Sequence, residues 1–169
     1  MLVALDGPGN SGKSTLARRL GAGAVVTMDD FYRPSPDDER ATLDPQAGYE
    51  LYFDWQRLIA EVLDPLAVGD VARYRRYDWS SGALGPDSVE VAPRGLVVVE
   101  GVYASRPQLR GYYDLAVFVD APRAVRLERA RTRGGDQAWI ARWTAAEDWW
   151  LEHLRPAEKA DLVVSGMSG

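Results

Sequence analysis

Residues 1–15 read Met-Leu-Val-Ala-Leu-Asp-Gly-Pro-Gly-Asn-Ser-Gly-Lys-Ser-Thr, and this stretch decides the fold. A short apolar run at 2–5 leads into a loop with the spacing Gly-x4-Gly-Lys-Ser, and Leu16, Ala17 and Leu20 then recur at helical spacing. The pattern predicts a strand, a phosphate-binding loop and a helix. Glycines let such a loop bend so that successive N–H groups point at phosphate oxygens, and the helix N-terminus adds its dipole. The sequence therefore predicts a site for a nucleoside triphosphate.

The residue types in this loop suit that chemistry. Lys13 can reach the β- and γ-phosphates as a point charge, and the hydroxyl group of Ser14 can coordinate Mg²⁺. The alternative is a glycine-rich turn that only joins two elements, but the flanking strand and helix patterns favour the phosphate site. The residues expected to contact the nucleotide are Gly7, Pro8, Gly9, Asn10, Ser11, Gly12, Lys13, Ser14 and Thr15.

Length and composition exclude several classes of protein. The 169 residues, 46% hydrophobic and 27% charged, fit a single globular domain over 1–169. The chain has no cysteine and one histidine, which excludes disulfides and thiolate metal sites and argues against a histidine-ligated zinc site. A net charge of −5 argues against a broad nucleic-acid-binding face. We therefore expect a small-molecule substrate and a magnesium ion held by oxygen atoms.

The sequence also gives an expectation for the cellular compartment of the protein. No run approaches the roughly 20 apolar residues of a membrane span, and the N-terminus is already the first predicted strand. We therefore expect a cytoplasmic protein with no membrane partner. The oligomeric state stays open, and a homo-oligomer is one possibility.

Beyond the loop, strand and helix patterns alternate, which is typical of an α/β fold. Strands are predicted over 24–28, 96–100, 115–119 and 162–164, a loop over 34–45, and one helix over 46–63 that ends before Pro65. Alternating residues and turn signals over 71–91 predict an irregular β-hairpin that projects from the sheet. We expect one further helix with Asp120 as its N-cap and Pro122 in its first turn, running to about Arg131, and a last helix over 138–154.

Acidic residues follow two of the predicted strands. The carboxyl ends of parallel strands face the ligand crevice, so Asp29, Asp30 and Glu100 are candidates for chemistry. Glu100 ends the strand expected beside the phosphate-loop strand, where it could hold Mg²⁺; the alternative is a capping acid. A carboxylate at 29 or 30 could accept the proton of an attacking hydroxyl group, or be a solvated loop acid. The residue pattern does not choose between these two aspartates.

A cluster of arginines predicts a lid over about 123–137. Arginines in a closing lid neutralise the charge that builds on a transferred phosphoryl group, although helical spacing is also typical of a solvated face. We expect one or two of the five to serve catalysis, those nearest the Gly134-Gly135 turn being favoured. The five are Arg123, Arg126, Arg129, Arg131 and Arg133.

In order along the chain, these motifs resemble the uridine kinase family, which belongs to a wider group with phosphoribulokinase, nicotinamide riboside kinase and bacterial pantothenate kinase. The resemblance runs from residue 2 to about 164. It is carried by residues 7–14, Asp29-Asp30-Phe31-Tyr32-Arg33, Tyr77-Asp78-Trp79, 98–103 and 113–120.

The resemblance implies a P-loop NTPase fold of the nucleoside-kinase type. Three layers are expected, with a five-stranded parallel sheet between helices and a β-hairpin that covers the acceptor. The implied activity is ATP-dependent phosphoryl transfer, with Mg²⁺, to a hydroxyl group of a small molecule, foremost a nucleoside such as uridine or cytidine. Another hydroxyl acceptor, or a nucleotide-binding regulatory protein without transfer activity, is the alternative.

The resemblance also implies roles for individual residues. Asp29 takes the general-base position, Arg133 that of a lid arginine, and Glu100 with Ser14 that of the magnesium ligands. Trp79 could stack on a planar substrate group, although packing within its own hairpin is as good an explanation. The residues expected at the acceptor are Asp29, Tyr32, Asp44, Tyr77 and Trp79, of which Asp44 would hold ribose hydroxyls and Tyr77 would line the nucleobase pocket.

Two runs depart from the family pattern. Ser80, Ser81 and Gly82 stand where uridine kinases carry a His and an Arg that help read the base. The run Arg133-Gly134-Gly135-Asp136 stands where the family's lid carries Arg-Gly-Arg-Asp, and Ala130 replaces the second of a paired arginine. The kinase interpretation survives both changes, whereas the sequence does not identify the acceptor.

Overall fold

The computed structural model describes residues 1–134 and 136–167, and a parallel five-stranded sheet lies at its centre with the strand order β2-β5-β1-β6-β7. A separate antiparallel pair, β3 and β4, forms the hairpin. The strands are β1 (Leu2–Asp6), β2 (Ala24–Thr27), β3 (Ala72–Asp78), β4 (Ala83–Val91), β5 (Val97–Glu100), β6 (Leu115–Asp120) and β7 (Leu162–Ser165).

Strand β1 lies in the middle of the sheet, and its residues 3–6 are buried. All four residues of β5, Val-Val-Val-Glu, are buried, as expected for a strand covered on both faces, and β1 pairs with it on one side and with β6 on the other. The register places Leu5 opposite Glu100 and Asp6 opposite Phe118. The glycine-rich loop after β1 therefore emerges beside the acidic end of β5.

Helices cover both faces of the sheet. On one face Ala17 of the first helix packs with Val3, Leu5 and Val98. On the other face Trp150 packs with a larger core of aromatic and aliphatic residues. The helices are α1 (Lys13–Arg19), α2 (Asp37–Ala41), α3 (Pro45–Leu51), α4 (Trp55–Leu58), α5 (Asp64–Ala67), α6 (Arg123–Arg133), α7 (Gln137–Leu154) and α8 (Pro156–Lys159). The predicted three-layer α/β P-loop fold is confirmed.

The hairpin predicted at 71–91 is confirmed as β3 and β4. Its register shifts between Arg75 and Tyr77, which is the predicted irregularity. Tyr74 packs on Phe31 with ring centroids 4.9 Å apart, so the hairpin is anchored to the segment after β2. At its tip the carboxylate of Asp78 accepts hydrogen bonds from the hydroxyl groups of Ser80 and Ser81, both at 2.7 Å.

The single helix predicted over 46–63 is wrong, because the chain breaks between α3 and α4. Phe53 is fully buried and its backbone forms an isolated bridge with Tyr32, and the Asp54 carboxylate then caps α4 by accepting from the Arg57 N–H at 3.1 Å. Nor does Pro65 end the helical segment. A π-helical turn over Ile59–Leu63 leads into α5, and proline is tolerated in the first turn of a helix.

Two further observations concern the helices. The predicted loop over 34–45 contains the five-residue helix α2. Across 1–134 and 136–167, no helix combines the length and apolar character needed to cross a membrane.

Candidate active site

The loop between β1 and α1 has the backbone conformation that a phosphate-binding loop needs. Gly7 and Gly12 have positive φ angles of 144° and 107°, and a Cβ atom on Gly7 would lie 2.3 Å from the carbonyl oxygen of Val119. Only glycine fits there. Asn10, with φ 61°, is of a residue type that tolerates the left-handed region.

Lys13 lies inside this loop. Its Nζ donates hydrogen bonds to the carbonyl oxygens of Gly7 at 2.9 Å and Pro8 at 2.8 Å. Burial lowers the pKa of the Lys13 ammonium group, and the nearby carboxylates of Glu147 and Glu100 oppose that shift. The charge of Lys13 therefore sits at the base of the loop, among acidic groups.

Ser14 and Glu100 meet at the mouth of the loop. The Ser14 hydroxyl donates to the Glu100 carboxylate at 2.9 Å, and both side chains line the same cleft. A hydroxyl and a carboxylate oxygen fit Mg²⁺, which takes few protein ligands and completes its shell with phosphate oxygens and water. The residues described include no group of three or more His, Cys, Asp or Glu that could hold a metal unaided.

The ends of β2 and β5 approach each other closely. Gly101 follows Glu100 with φ 147°, and a Cβ atom on it would lie 2.4 Å from the Cβ atom of Met28. Met28 is the residue before Asp29. The glycine therefore allows the two acidic strand ends to share one crevice.

Asp29 and Asp30 have different surroundings. Asp29 lines the cleft, whereas Asp30 is turned toward the hairpin, where it accepts a hydrogen bond from the Tyr74 hydroxyl at 3.0 Å and pairs with Arg76 at 3.4 Å. Desolvation raises the pKa of Asp29, and the negative charge of Glu100 raises it further, against the opposing charge of Lys13. Of the two aspartates, Asp29 is therefore the one that shares the cleft with Lys13.

The cleft has a volume of about 290 Å³, and all five predicted catalytic and metal-binding residues line it. Gly9 and Asn10 form its loop side, while Thr15 is exposed and accepts a hydrogen bond from Arg18 at 3.3 Å instead. The charged and hydroxyl side chains that line the cleft include Lys13, Ser14, Asp29, Glu100, Arg133 and Glu147.

Three of the five arginines predicted for the lid reach the site. Arg133 and Arg126 line the cleft, and Arg129 donates to the carbonyl oxygen of Asn10 at 2.9 Å. By contrast, Arg123 pairs with Asp148 at 2.8 Å and Arg131 with Glu128 at 3.8 Å on the exposed side. Gly135, which belongs to the predicted lid, lies outside the described residues.

Tyr32, Tyr77 and Trp79 form one aromatic cluster beside the cleft. Their ring centroids lie 5.3 Å apart for Tyr32 and Tyr77, 4.7 Å for Tyr32 and Trp79, and 5.1 Å for Tyr77 and Trp79. Trp79 is 53% exposed, whereas Tyr32 and Tyr77 are buried. Trp143 connects the cluster to the cleft, since it lines the cleft and also a small cavity next to Tyr32.

Asp44 lies apart from this group. Its carboxylate accepts from the Ala47 N–H at 2.8 Å and caps α3, and the residue does not line the cleft. This capping bond is by itself a sufficient structural reason for an acidic residue at the N-terminus of a helix. The acceptor role assigned to Asp44 stays a prediction.

Sequence analysis missed Glu147 and Trp143. Glu147, in the middle of α7, is 2% exposed, and its Oε1 accepts from the Gly9 N–H at 2.7 Å and the Trp143 Nε1–H at 2.6 Å. Its Oε2 accepts from Arg126 at 3.0 Å. Burial raises the pKa of this carboxylate, and its three partners and Lys13 oppose the shift. No local signal separates this acid from the solvated acids common on helices.

The arrangement agrees with similarities to known proteins. The Phosphoribulokinase / Uridine kinase family matches over residues 2–164, so the chain belongs to that family. A uridine kinase of Deinococcus deserti is 30% identical over 163 residues, covering 92% of this chain and 78% of the relative.

Solved structures show the same fold. One titled a possible uridine kinase from Bacillus stearothermophilus has a TM-score of 0.73 at 23% identity, covering 98% of this chain and 88% of the other. A putative fructose transport system kinase from Silicibacter has a TM-score of 0.69 at 26% identity, covering 97% and 89%. The chain is thus a P-loop kinase by family and by fold.

Proposed function

We propose that this member of the Phosphoribulokinase / Uridine kinase family transfers the γ-phosphoryl group of ATP to a hydroxyl group of a small molecule. The observation that carries the proposal is the single cleft shared by the phosphate loop, the Ser14–Glu100 pair and Asp29. Each part of a phosphoryl-transfer site is represented there: a cradle for phosphates, oxygen ligands for a metal, and a carboxylate for the attacking hydroxyl.

The proposed reaction assigns one role to each side chain. Asp29 accepts the proton of the acceptor hydroxyl as its oxygen bonds to the γ-phosphorus, and the bond from that phosphorus to the β–γ bridging oxygen breaks to release ADP. Lys13 and Arg133 stabilise the negative charge that spreads over the transferred group. Ser14 and Glu100 would hold Mg²⁺, which when bound would supply further neutralisation of the phosphate charge.

We assign the acceptor to the side of the cleft formed by the aromatic cluster of Tyr32, Tyr77 and Trp79. Aromatic faces favour a planar ring, which supports a nucleoside such as uridine or cytidine as the first candidate. The relative from Deinococcus deserti, named a uridine kinase, supports the same choice.

A second acceptor class is favoured by the hairpin tip. Asp78 is engaged by Ser80 and Ser81, and these short side chains close the turn on themselves. These two serines supply no long side chain with a hydrogen-bond donor that could reach a nucleobase. A hydroxyl compound without a pyrimidine ring, such as nicotinamide riboside, pantothenate or a specialised metabolite, is therefore the alternative acceptor.

A panel assay tests the proposal. The purified protein is incubated with Mg²⁺ and ATP, and acceptor-dependent ADP release is measured with nucleosides, sugars and other hydroxyl compounds. We expect one acceptor class to raise ADP release well above the rate without acceptor. Turnover of uridine or cytidine selects the nucleoside, and turnover of another compound selects the alternative. Tight ATP binding with no acceptor-dependent release across the panel would instead indicate a nucleotide-binding regulatory protein.

A further inference from the structure

Glu147 binds a backbone donor of the phosphate loop. The Gly9 N–H points at its Oε1 from 2.7 Å, and a Cβ atom on Gly9 would also lie 2.7 Å from that oxygen. The carboxylate thus sits directly against the loop, inside the cleft that Lys13 and Ser14 also line. A carboxylate oxygen accepts a hydrogen bond from such an N–H in the way that an anionic phosphate oxygen does.

Two other side chains hold the carboxylate in this position. Trp143, one turn earlier on α7, donates its indole N–H to the same Oε1 at 2.6 Å, and Arg126 of α6 donates to Oε2 at 3.0 Å. Arg126 and Glu147 are both almost fully buried, with side-chain exposures of 7% and 3%. The contact with Gly9 therefore belongs to a hydrogen-bonded network that joins α6 and α7 to the phosphate loop.

We infer that Glu147 competes with the phosphate donor for the phosphate loop: its carboxylate occupies the Gly9 N–H and leaves it when a triphosphate binds. The inference rests on the proposed function of the loop as the triphosphate site. One N–H cannot serve both a carboxylate and a phosphate oxygen at full strength, and two anions in a buried site repel each other. The Arg126 guanidinium gives the displaced carboxylate a partner away from Gly9.

This competition lowers the affinity of the protein for its phosphate donor. Part of the free energy of binding polyphosphate is used to detach Glu147 from Gly9, so the loop binds its ligand more weakly than an unopposed loop would. Removing the charge of residue 147, or the indole N–H that orients it, relieves the competition. The effect falls on ligands that carry a polyphosphate chain.

Three variants and two probes test the inference by isothermal titration. The variants are Glu147→Gln, which removes the charge and keeps the shape, Trp143→Phe, which removes the indole donor and keeps a ring, and the matched control Asp148→Asn. Asp148 is the next residue of α7 and pairs with Arg123 on the exposed side, so its substitution changes the net charge equally. The probes are Mg²⁺–ATP and inorganic tripolyphosphate.

We expect Glu147→Gln to bind both probes about tenfold more tightly than the wild type, Trp143→Phe to shift in the same direction, and Asp148→Asn to match the wild type. Equal or weaker binding by Glu147→Gln, with wild type and control binding normally, overturns the inference and leaves the proposed function intact. Failure of wild type and control to bind either probe contradicts the proposed function itself. Thermal unfolding checks each fold, and Trp143→Phe decides the question if Glu147→Gln does not fold.

Discussion

Asp29 and Asp30 are neighbours in the chain, yet they belong to different parts of the molecule. The 3₁₀ turn Met28–Phe31 directs Asp29 into the cleft and Asp30 toward β3, where Tyr74 and Arg76 contact its carboxylate. The backbone oxygen of Asp30 also accepts from Arg57 at 2.5 Å. Asp30 therefore fixes the turn that presents Asp29, and it does not face the phosphate loop.

The Asp30→Asn variant tests this division of roles. An asparagine oxygen can still accept from the Tyr74 hydroxyl, so we expect kcat to stay within about tenfold of the wild type and the affinity for ATP to be unchanged. Steady-state kinetics with the acceptor found in the panel provide the measurement. Glu90→Gln, in the exposed Arg73–Glu90 pair of the same hairpin, is the matched control. A loss of several hundredfold in kcat for Asp30→Asn alone, with an unchanged melting temperature, would contradict this division of roles.

Single residues show what a sequence can and cannot predict about a site. Ser14 and Glu100 were predicted because a loop motif and the end of a buried strand fix their positions locally. The Ser14 Oγ and Glu100 Oε1 atoms lie 2.9 Å apart. The residue pattern left Asp29 and Asp30 open and only the family resemblance pointed to Asp29; their different surroundings depend on a 3₁₀ turn and a hairpin contact. Glu147 depends on how α7 docks against the loop, which no pattern within α7 encodes.

The same distinction holds for whole elements. Strands of the central sheet were predicted from continuous apolar runs, because short runs rich in β-branched residues such as Val97–Val99 are typical of buried parallel strands. The helix over 46–63 was predicted from helical spacing, but the burial of Phe53 and its bridge to Tyr32 interrupt it. That interruption is a tertiary contact, so local periodicity could not reveal it.

The edge strand β7 pairs with β6, and the carboxylate of Asp161, just before the strand, adds a side-chain link to the sheet. Asp161 accepts from the Ala116 N–H at 2.7 Å and from Nη2 of Arg110 at 2.8 and 2.7 Å. The Ala116 hydrogen bond foremost, with Arg110, holds the pKa of Asp161 below its usual value. Its ionised form therefore favours the folded state.

The Asp161→Asn variant should show this contribution and its pH dependence. Because the folded pKa lies below the unfolded value of 3.8, the stabilisation is fully present above that value and is lost as the pH falls through the folded pKa. At pH 7 we expect the melting temperature to fall by about 2–4 °C, and the difference from wild type to narrow below about pH 4. Thermal unfolding across this pH range measures both effects.

Glu158→Gln is the matched control for that experiment. Glu158 forms an exposed pair with Arg155 at 3.6 Å, only three residues before Asp161. Exposed pairs of this kind contribute little, so we expect its melting temperature to match the wild type. A pH-independent difference for Asp161→Asn would refute the ionic origin of the effect.

At the scale of the whole molecule, the cleft is assembled from segments far apart in the chain. The loop after β1, the acidic ends of β2 and β5, and the helices α6 and α7 all contribute side chains to it. The central sheet brings the first three together, and Arg126 and Glu147 join the two helices to each other and to the loop. The fold thus places the phosphate loop in one cleft with the carboxylates of Asp29, Glu100 and Glu147.

We propose that this cleft binds Mg²⁺–ATP and that Asp29 then activates the acceptor hydroxyl. The most direct test compares wild type with Asp29→Asn in two measurements, the dissociation constant for Mg²⁺–ATP and the rate of acceptor-dependent ADP release. We expect the variant to bind Mg²⁺–ATP as the wild type does and to lose phosphoryl transfer by about 10²–10⁴-fold. Transfer at the wild-type rate by Asp29→Asn would contradict the claim.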